Sequence, residues 1–153
     1  MLNENICVAL KVTNKETIRV SGRSVKVNSS DLCEIYQTCA EENNDRVVYL
    51  TSKRFVASQK ARINKVLLYV SPSVAYLVDV VKVGTSWPEQ VLKVPDGYTL
   101  PGILEGKTSV CWLALEGQWV SVDPKEYVLD AQPEATVAEI FSGNSAQAYV
   151  HKV

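Results

Sequence analysis

The sequence predicts a single α+β domain over residues 1–153, mainly antiparallel, built as a small barrel or sandwich with two short helices. Three observations predict this class. The apolar fraction of 46% and the charged fraction of 22% are typical of globular proteins. Short apolar runs, either alternating or continuous, recur along the chain as in strands. Only two segments show the spacing of an amphipathic helix.

The first part of the chain predicts three strands and the clearest helix. The strands are expected at residues 5–12, 17–20 and 24–27, and a Ser-Gly break separates the last two. The helix follows a run of candidate N-caps at residues 28–31, and Asp31 with Glu34 has the spacing of a capping box. Its apolar stripe consists of Leu32, Ile35, Tyr36 and Cys39.

The middle of the chain predicts the centre of the sheet. A strand is expected at residues 46–50, and strands 65–70 and 74–83 form a predicted hairpin. Glycine and proline then punctuate residues 84–108, which predicts a long loop, functional or mobile, with a short strand at 90–94.

The last third predicts mostly short elements. Strands at residues 109–115 and 118–122 flank a Glu-Gly pair, which is typical of a two-residue hairpin. An edge strand at 127–129, a second helix at 133–141 and a final strand at 148–153 complete the expected fold.

Residues that could catalyse a reaction or bind a metal or a phosphate are scarce in this sequence. Of the four cysteines none forms a C-x-x-C pair, and His151 is the single histidine, so neither a zinc site nor a Cys–His nucleophile is expected. The glycines lack the strand–turn–helix context of a phosphate loop. We therefore predict a protein that is not an enzyme and that uses no cofactor and no metal.

The sequence predicts a cytoplasmic localisation. Cysteines without a disulfide pattern indicate free thiols in a reducing compartment. No apolar run reaches the length of a membrane span, so no membrane partner is expected. The start of the chain lacks the basic region of a signal peptide.

The most informative segment for function is basic and contains no acidic residue. Residues 1–76 hold 11 of the 16 Lys and Arg but only 7 of the 17 Asp and Glu. Within them, residues 53–65 combine cations with an aromatic ring, a combination suited to phosphate contacts and base stacking. The candidate nucleic-acid-binding residues of this segment are Lys53, Arg54, Phe55, Lys60, Arg62 and Lys65. The alternative is a solvated loop between two core strands.

Trp87, in the predicted long loop, is a further candidate contact, because loops carry function. The alternative is that this tryptophan only holds the loop against the domain. Trp112 and Trp119 lie in predicted strands among apolar neighbours, so we expect them in the core.

The strings Tyr49-Leu-Thr-Ser-Lys-Arg-Phe55, Lys65-Val-Leu-Leu-Tyr-Val-Ser-Pro-Ser73 and Val74-Ala-Tyr-Leu-Val-Asp-Val80 resemble the PUA-like superfamily, especially its ASCH and EVE branches. Tyr69 and Ser71 match the Tyr-x-Ser strand end of those families. The resemblance covers about residues 46–83. It implies a small β-barrel with flanking helices that binds RNA or reads a modified base in a cleft, with Tyr69 and Ser71 near the cleft and Lys53 and Arg54 at its rim.

Two functional hypotheses follow. The first is a small non-catalytic binding module that recognises single-stranded or modified nucleic acid. The second is a protein-binding adaptor or inhibitor, of the kind encoded by phages or mobile elements, that acts on a host protein complex. The second hypothesis rests on the near-neutral net charge of −1, the acidic second half and the lack of catalytic groups.

Overall fold

The computed structural model describes residues 5–153, so the first four residues, where no signal peptide was expected, lie outside it. Over these residues the fold is α+β and consists mostly of strands. The strands are β1 (Ile6–Lys11), β2 (Glu16–Val20), β3 (Arg23–Val27), β4 (Arg46–Thr51), β5 (Ile63–Ser71), β6 (Val74–Trp87), β7 (Ser109–Val122), β8 (Tyr127–Leu129) and β9 (Gln147–Lys152). The helices are α1 (Ser29–Glu41), α2 (Ala57–Lys60) and α3 (Val137–Phe141).

Seven of these strands form one sheet in the order β4-β7-β6-β5-β1-β9-β8. The only parallel pair of that sheet, among the residues described, is β1 with β5. The expectation of a mainly antiparallel α+β fold is therefore confirmed. Strands β2 and β3 form a separate two-stranded sheet.

Hydrogen-bonded strands do not close this sheet into a barrel, because β4 and β8 remain its two edges. On β4, the outward backbone N–H of Val48 donates to the carbonyl of Thr99 at 2.8 Å, and that of Leu50 donates to the Tyr36 hydroxyl at 3.2 Å. The edge is thus covered by a loop and a helix side chain, which protects it from pairing with another strand.

The sheet is nevertheless strongly bent, since its far strands approach each other. The segment that follows β4 reaches β9, where the Gln147 side-chain amide donates to the Arg54 carbonyl at 2.9 Å. The ends of β1 and β4 also line a common groove, which includes Val12 and Leu50. The gap between β4 and β9 in the bent sheet is therefore bridged by chain segment 52–56 and not by a pair of strands.

Both predicted helices are present, and the first begins within the predicted run of N-cap residues 28–31. Asn28 is the N-cap of α1, because its side chain accepts from the backbone N–H of Asp31 at 2.8 Å. Asp31 is therefore inside the helix, and the predicted capping box with Glu34 is wrong. The second predicted helix begins only after Thr136, which caps it by accepting from the N–H of Glu139. The short α2 was not predicted, so the expected count of two helices is also wrong.

Two predicted β elements are wrong. Residues 109–122 form one continuous strand rather than a hairpin at Glu116-Gly117. Gly117 has a φ of 95°, and its N–H donates to the Asp45 carbonyl, where the pairing with β6 shifts register. A glycine in this conformation forms a bulge that bends the strand without reversing it. The predicted strand at 90–94 is a 3₁₀ turn over Val91–Lys93.

Both faces of the sheet are covered. Helix α1 packs on one face through four buried residues, Leu32, Cys33, Tyr36 and Ala40. Part of the other face is covered by α3, whose Phe141 contacts Tyr69. The rest is covered by the loop after β6, where the fully buried Trp112 lies beneath Val94 and Tyr98. Trp112 was correctly expected in the core, and Trp119 packs against the core from a partly buried position.

Candidate ligand-binding cleft

A cleft of about 590 Å³ opens where β4 and β6 end and β7 begins. Its size falls within the range of small-molecule sites, roughly 300–1,000 Å³. The strand register explains how its floor forms. Cys111 of β7 pairs with Thr51 on one side and with Thr85 on the other, so the three side chains share one face of the sheet.

Hydroxyl groups dominate the polar lining of the cleft. Six of them come from the three Thr-Ser dipeptides of the chain, at residues 51–52, 85–86 and 108–109. These dipeptides meet because β4 and β6 both run antiparallel to β7. A short polar pair at each of these strand ends therefore faces the same space.

Some of these hydroxyls hold the local structure together and others are open to a ligand. The Ser109 hydroxyl lies 2.6 Å from the Thr51 carbonyl, and the Thr51 hydroxyl accepts from the N–H of Lys53 at 3.1 Å. Over residues 5–153, the hydroxyls of Thr85, Ser86 and Thr108 make no hydrogen bond to the protein. These three hydroxyls can donate to or accept from a bound molecule.

The charge at the cleft is predominantly positive. Arg54 is exposed at the rim and forms no salt bridge with any residue that the structure describes. The second lining cation, Lys107, is neutralised by an ion pair with Glu16. The carboxylate that lines the cleft, Glu16, is held by Lys107, so an anionic group entering the cleft would meet an unpaired Arg54.

Cys111, at the floor, is a poor nucleophile in this setting. Burial raises the pKa of its thiol, while the backbone N–H of Phe55 and the charges of Lys60 and Arg54 act in the opposite direction with smaller effect. The thiol is therefore protonated at neutral pH, and only a thiolate would attack a substrate.

Aromatic side chains form the remaining wall. Phe55 is half-buried, lines the cleft and packs against the core. Deeper in, the rings of Tyr36 and Tyr49 lie 4.6 Å apart between centroids. Burial raises the pKa of both phenols, so they are neutral at physiological pH. The wall thus offers an apolar ring beside polar hydroxyls.

The structure brings together part of the basic segment predicted from the sequence. Arg54 and Phe55 line the cleft, and Lys53 lines the adjoining groove at the ends of β1 and β4. Lys60 ends α2 and does not line the cleft, although its charge acts to lower the pKa of the Cys111 thiol. Arg62 is half-buried between α2 and β5 and does not line the cleft.

Other predicted site residues lie elsewhere. Lys65 forms a salt bridge with Asp79 at 2.6 Å and lines a different cavity. Tyr69 is only 2% exposed, and its ring packs edge-on against Phe141 at 5.5 Å. Tyr69 is therefore packed beneath α3 and does not line this cleft.

Ser71 and Trp87 also lie outside the cleft. Ser71 ends β5 and does not contribute to the lining. Trp87 ends β6, and its ring packs against Trp112 with 6.3 Å between centroids. This contact favours the alternative for Trp87, in which it holds the following loop against the sheet.

The Thr-Ser residues of the cleft were missed by the sequence reasoning, although the repeated dipeptide was a visible signal.

None of the helices over residues 5–153 is long and apolar enough to cross a bilayer. Within the same range, no three His, Cys, Asp or Glu side chains come together in a group that could hold a metal ion. Comparison of the chain with protein-family models, curated proteins and solved structures gave no match.

Proposed function

We propose that this chain is a small non-catalytic binding module whose cleft receives one nucleotide of a single-stranded or modified nucleic acid. The observation that carries the proposal is the convergence of three Thr-Ser dipeptides opposite Arg54, which has no salt-bridge partner among the residues described. Hydroxyls can hydrogen-bond the edge of a base or a sugar, while arginine suits a phosphate.

The aromatic wall suits the same ligand. Phe55 presents a ring to the cleft, and stacking on such a ring contributes about 1–3 kcal/mol per base. Lys53 lines the adjoining groove, and its ammonium group suits a contact with a neighbouring phosphate. This division of labour, with cations positioning the strand and hydroxyls reading the base, is usual in nucleic-acid recognition.

A PUA-like relationship and a cytoplasmic setting belong to the same proposal. The Tyr69–Ser71 string motivates the relationship, and the strong bend of the sheet, bridged by segment 52–56, supports a pseudobarrel without full strand closure. The four free cysteines support a reducing compartment.

The test is fluorescence anisotropy with a labelled 20-nucleotide single strand at low salt, and calorimetry with the four nucleoside monophosphates. Arg54→Glu should weaken oligonucleotide binding at least tenfold. Thr85→Val, which keeps the shape but removes a hydroxyl, should weaken monophosphate binding about three- to tenfold, as expected for one hydrogen bond. The charge-matched control is Lys125→Glu, since Lys125 is exposed in the turn before β8.

The proposal fails if the unmodified protein binds neither probe, or if Arg54→Glu and Lys125→Glu weaken binding equally. The second result would mean that only the overall charge matters. Thermal unfolding of each variant would show that the fold is intact, because exposed charges contribute little to stability.

The protein-binding alternative has its own supporting observation. Leu92 is 96% exposed at the tip of the loop after β6, beside Val91 at 47%. Exposed apolar side chains of this kind are typical of protein contacts when they form a patch. An adaptor of this type would lose a stoichiometric partner from a host lysate on Leu92→Asp, whereas Arg54→Glu would leave that partner bound.

A further inference from the structure

The two-stranded sheet of β2 and β3 is a projecting hairpin, here called the basic ribbon (residues 15–27). Its five cross-strand pairs run from Glu16 with Val27 to Val20 with Arg23. Ser21 and Gly22 form the two-residue turn, and both have a positive φ, as in the turns that match the twist of a hairpin.

Over the described residues, the ribbon packs against the domain through its proximal half. Ile18 is 5% exposed and belongs to the main core, and Val27 packs against that core. Residues 19–26 are all exposed, including Val20 and Val25. The distal half therefore extends into solvent with both faces open.

The charged side chains on the exposed part of the ribbon, residues 19–26, are all basic. No acidic residue occurs from residue 17 to residue 30. The exposed cations are Lys15, Arg19, Arg23 and Lys26, and none forms a salt bridge with another described residue. The carboxylate of the ribbon, Glu16, is paired with Lys107, so the four unpaired cations give a surface that is complementary to a polyanion.

The ribbon also starts at the cleft. Glu16, at the base of β2, lines the cleft and pairs there with Lys107. Thr13, just before the ribbon, lines the cleft as well. A single-stranded nucleic acid with one nucleotide in the cleft can therefore continue past Glu16 and along the cations of the ribbon.

We propose that the basic ribbon is a second phosphate-binding surface, which holds the single-stranded nucleic acid on one side of the nucleotide in the cleft. This inference rests on the proposed function and assigns different roles to the ribbon and the cleft. The ribbon supplies affinity that is independent of sequence and sensitive to salt, and the cleft supplies recognition.

The test compares Arg19→Gln/Lys26→Gln with the control Lys125→Gln/Lys152→Gln, which changes the net charge equally but outside the ribbon and the cleft. Arg19 and Lys26 lie in β2 and β3 opposite Ser24 and Thr17. The affinity for a labelled 20-nucleotide single strand is measured by anisotropy across a salt series. Each lost phosphate contact should reduce the slope of log affinity against log salt by about 0.7, so the ribbon variant should lose about 1.4.

The ribbon variant should also bind at least tenfold more weakly at low salt, while its binding of a nucleoside monophosphate stays unchanged. An unchanged salt slope together with full affinity would overturn the ribbon proposal and leave the cleft proposal intact. Conversely, a ribbon-dependent slope without any monophosphate binding would support the ribbon and refute the cleft. Equal binding of poly-glutamate of similar length would overturn the assignment of nucleic acid as the partner.

Discussion

Gly84 in β6 provides the sharpest test of the packing described above. It pairs with Trp112 of β7, and the indole lies directly over its Cα position. A Cβ atom at residue 84 would lie 2.0 Å from Cε2 and 2.4 Å from Nε1 of that indole. Ordinary carbon contacts are about 3.5–4.0 Å, so Gly84→Ala would require the ring to move by roughly 1.5 Å.

Trp112 has no space for such a movement, because it is fully buried beneath the loop after β6. Overpacking of a well-filled core costs about 1–3 kcal/mol, and an overlap of this size belongs at the upper end. For a domain of this length, 3 kcal/mol corresponds to a melting temperature lower by roughly 6–12 °C. Thermal unfolding followed by circular dichroism, with urea unfolding in parallel, measures both quantities.

Gly102→Ala is the matched control, since no heavy atom lies within 4 Å of a Cβ at that position. It should change stability by less than about 0.5–1 kcal/mol. In the double variant Gly84→Ala/Trp112→Phe, the smaller ring should relieve the overlap, so the two effects should not add. The close contact between residue 84 and the Trp112 indole would be refuted if Gly84→Ala were as stable as the wild type. It would also be refuted if the effects of the two substitutions were strictly additive in the double variant.

Two further predictions concern α1. Asn28→Ala removes the acceptor for the N–H of Asp31 and should cost about 0.5–2 kcal/mol in urea unfolding, whereas Ser30→Ala, beside it, should cost less. Burial raises the pKa of Cys33 from 9.0 to about 12. The unfolded thiol therefore ionises first, so the stability that Cys33 contributes is present below about pH 9 and is lost as the pH rises towards 12. Cys33→Ala should reduce the slope of the free energy of unfolding against pH in this range by up to about 1.4 kcal/mol per pH unit. An unchanged slope would contradict burial of the thiol as the cause.

The sequence was sufficient for the class of fold because local patterns decide it. The apolar stripe of α1 and the continuous apolar run of β5 each identify an element without reference to the rest of the chain. Gly117 shows where local patterns stop being sufficient. A glycine between two apolar runs fits a turn or a bulge equally well, and only its hydrogen bond to Asp45, 72 residues earlier, decides for the bulge.

The candidate site was predictable in part for the same reason. Arg54 and Phe55 stood out because they are neighbours in a basic segment. Tyr69 stood out equally, yet whether its side of the strand faces a cleft or a filled core depends on Phe141 in α3. The three Thr-Ser pairs are far apart in the chain, so their meeting depends on a strand register that no local pattern specifies.

The incomplete closure of the sheet and the cleft lie at the same edge, because β4 is an edge strand and its end lines the cleft. Segment 52–56 bridges the opening there, and the Arg54 carbonyl accepts a hydrogen bond from the Gln147 side chain. The backbone of residue 54 is thereby held in place while its side chain stays exposed at the rim. Substitution of the Arg54 side chain should therefore alter binding at the cleft with little effect on folding, and the two can be measured separately.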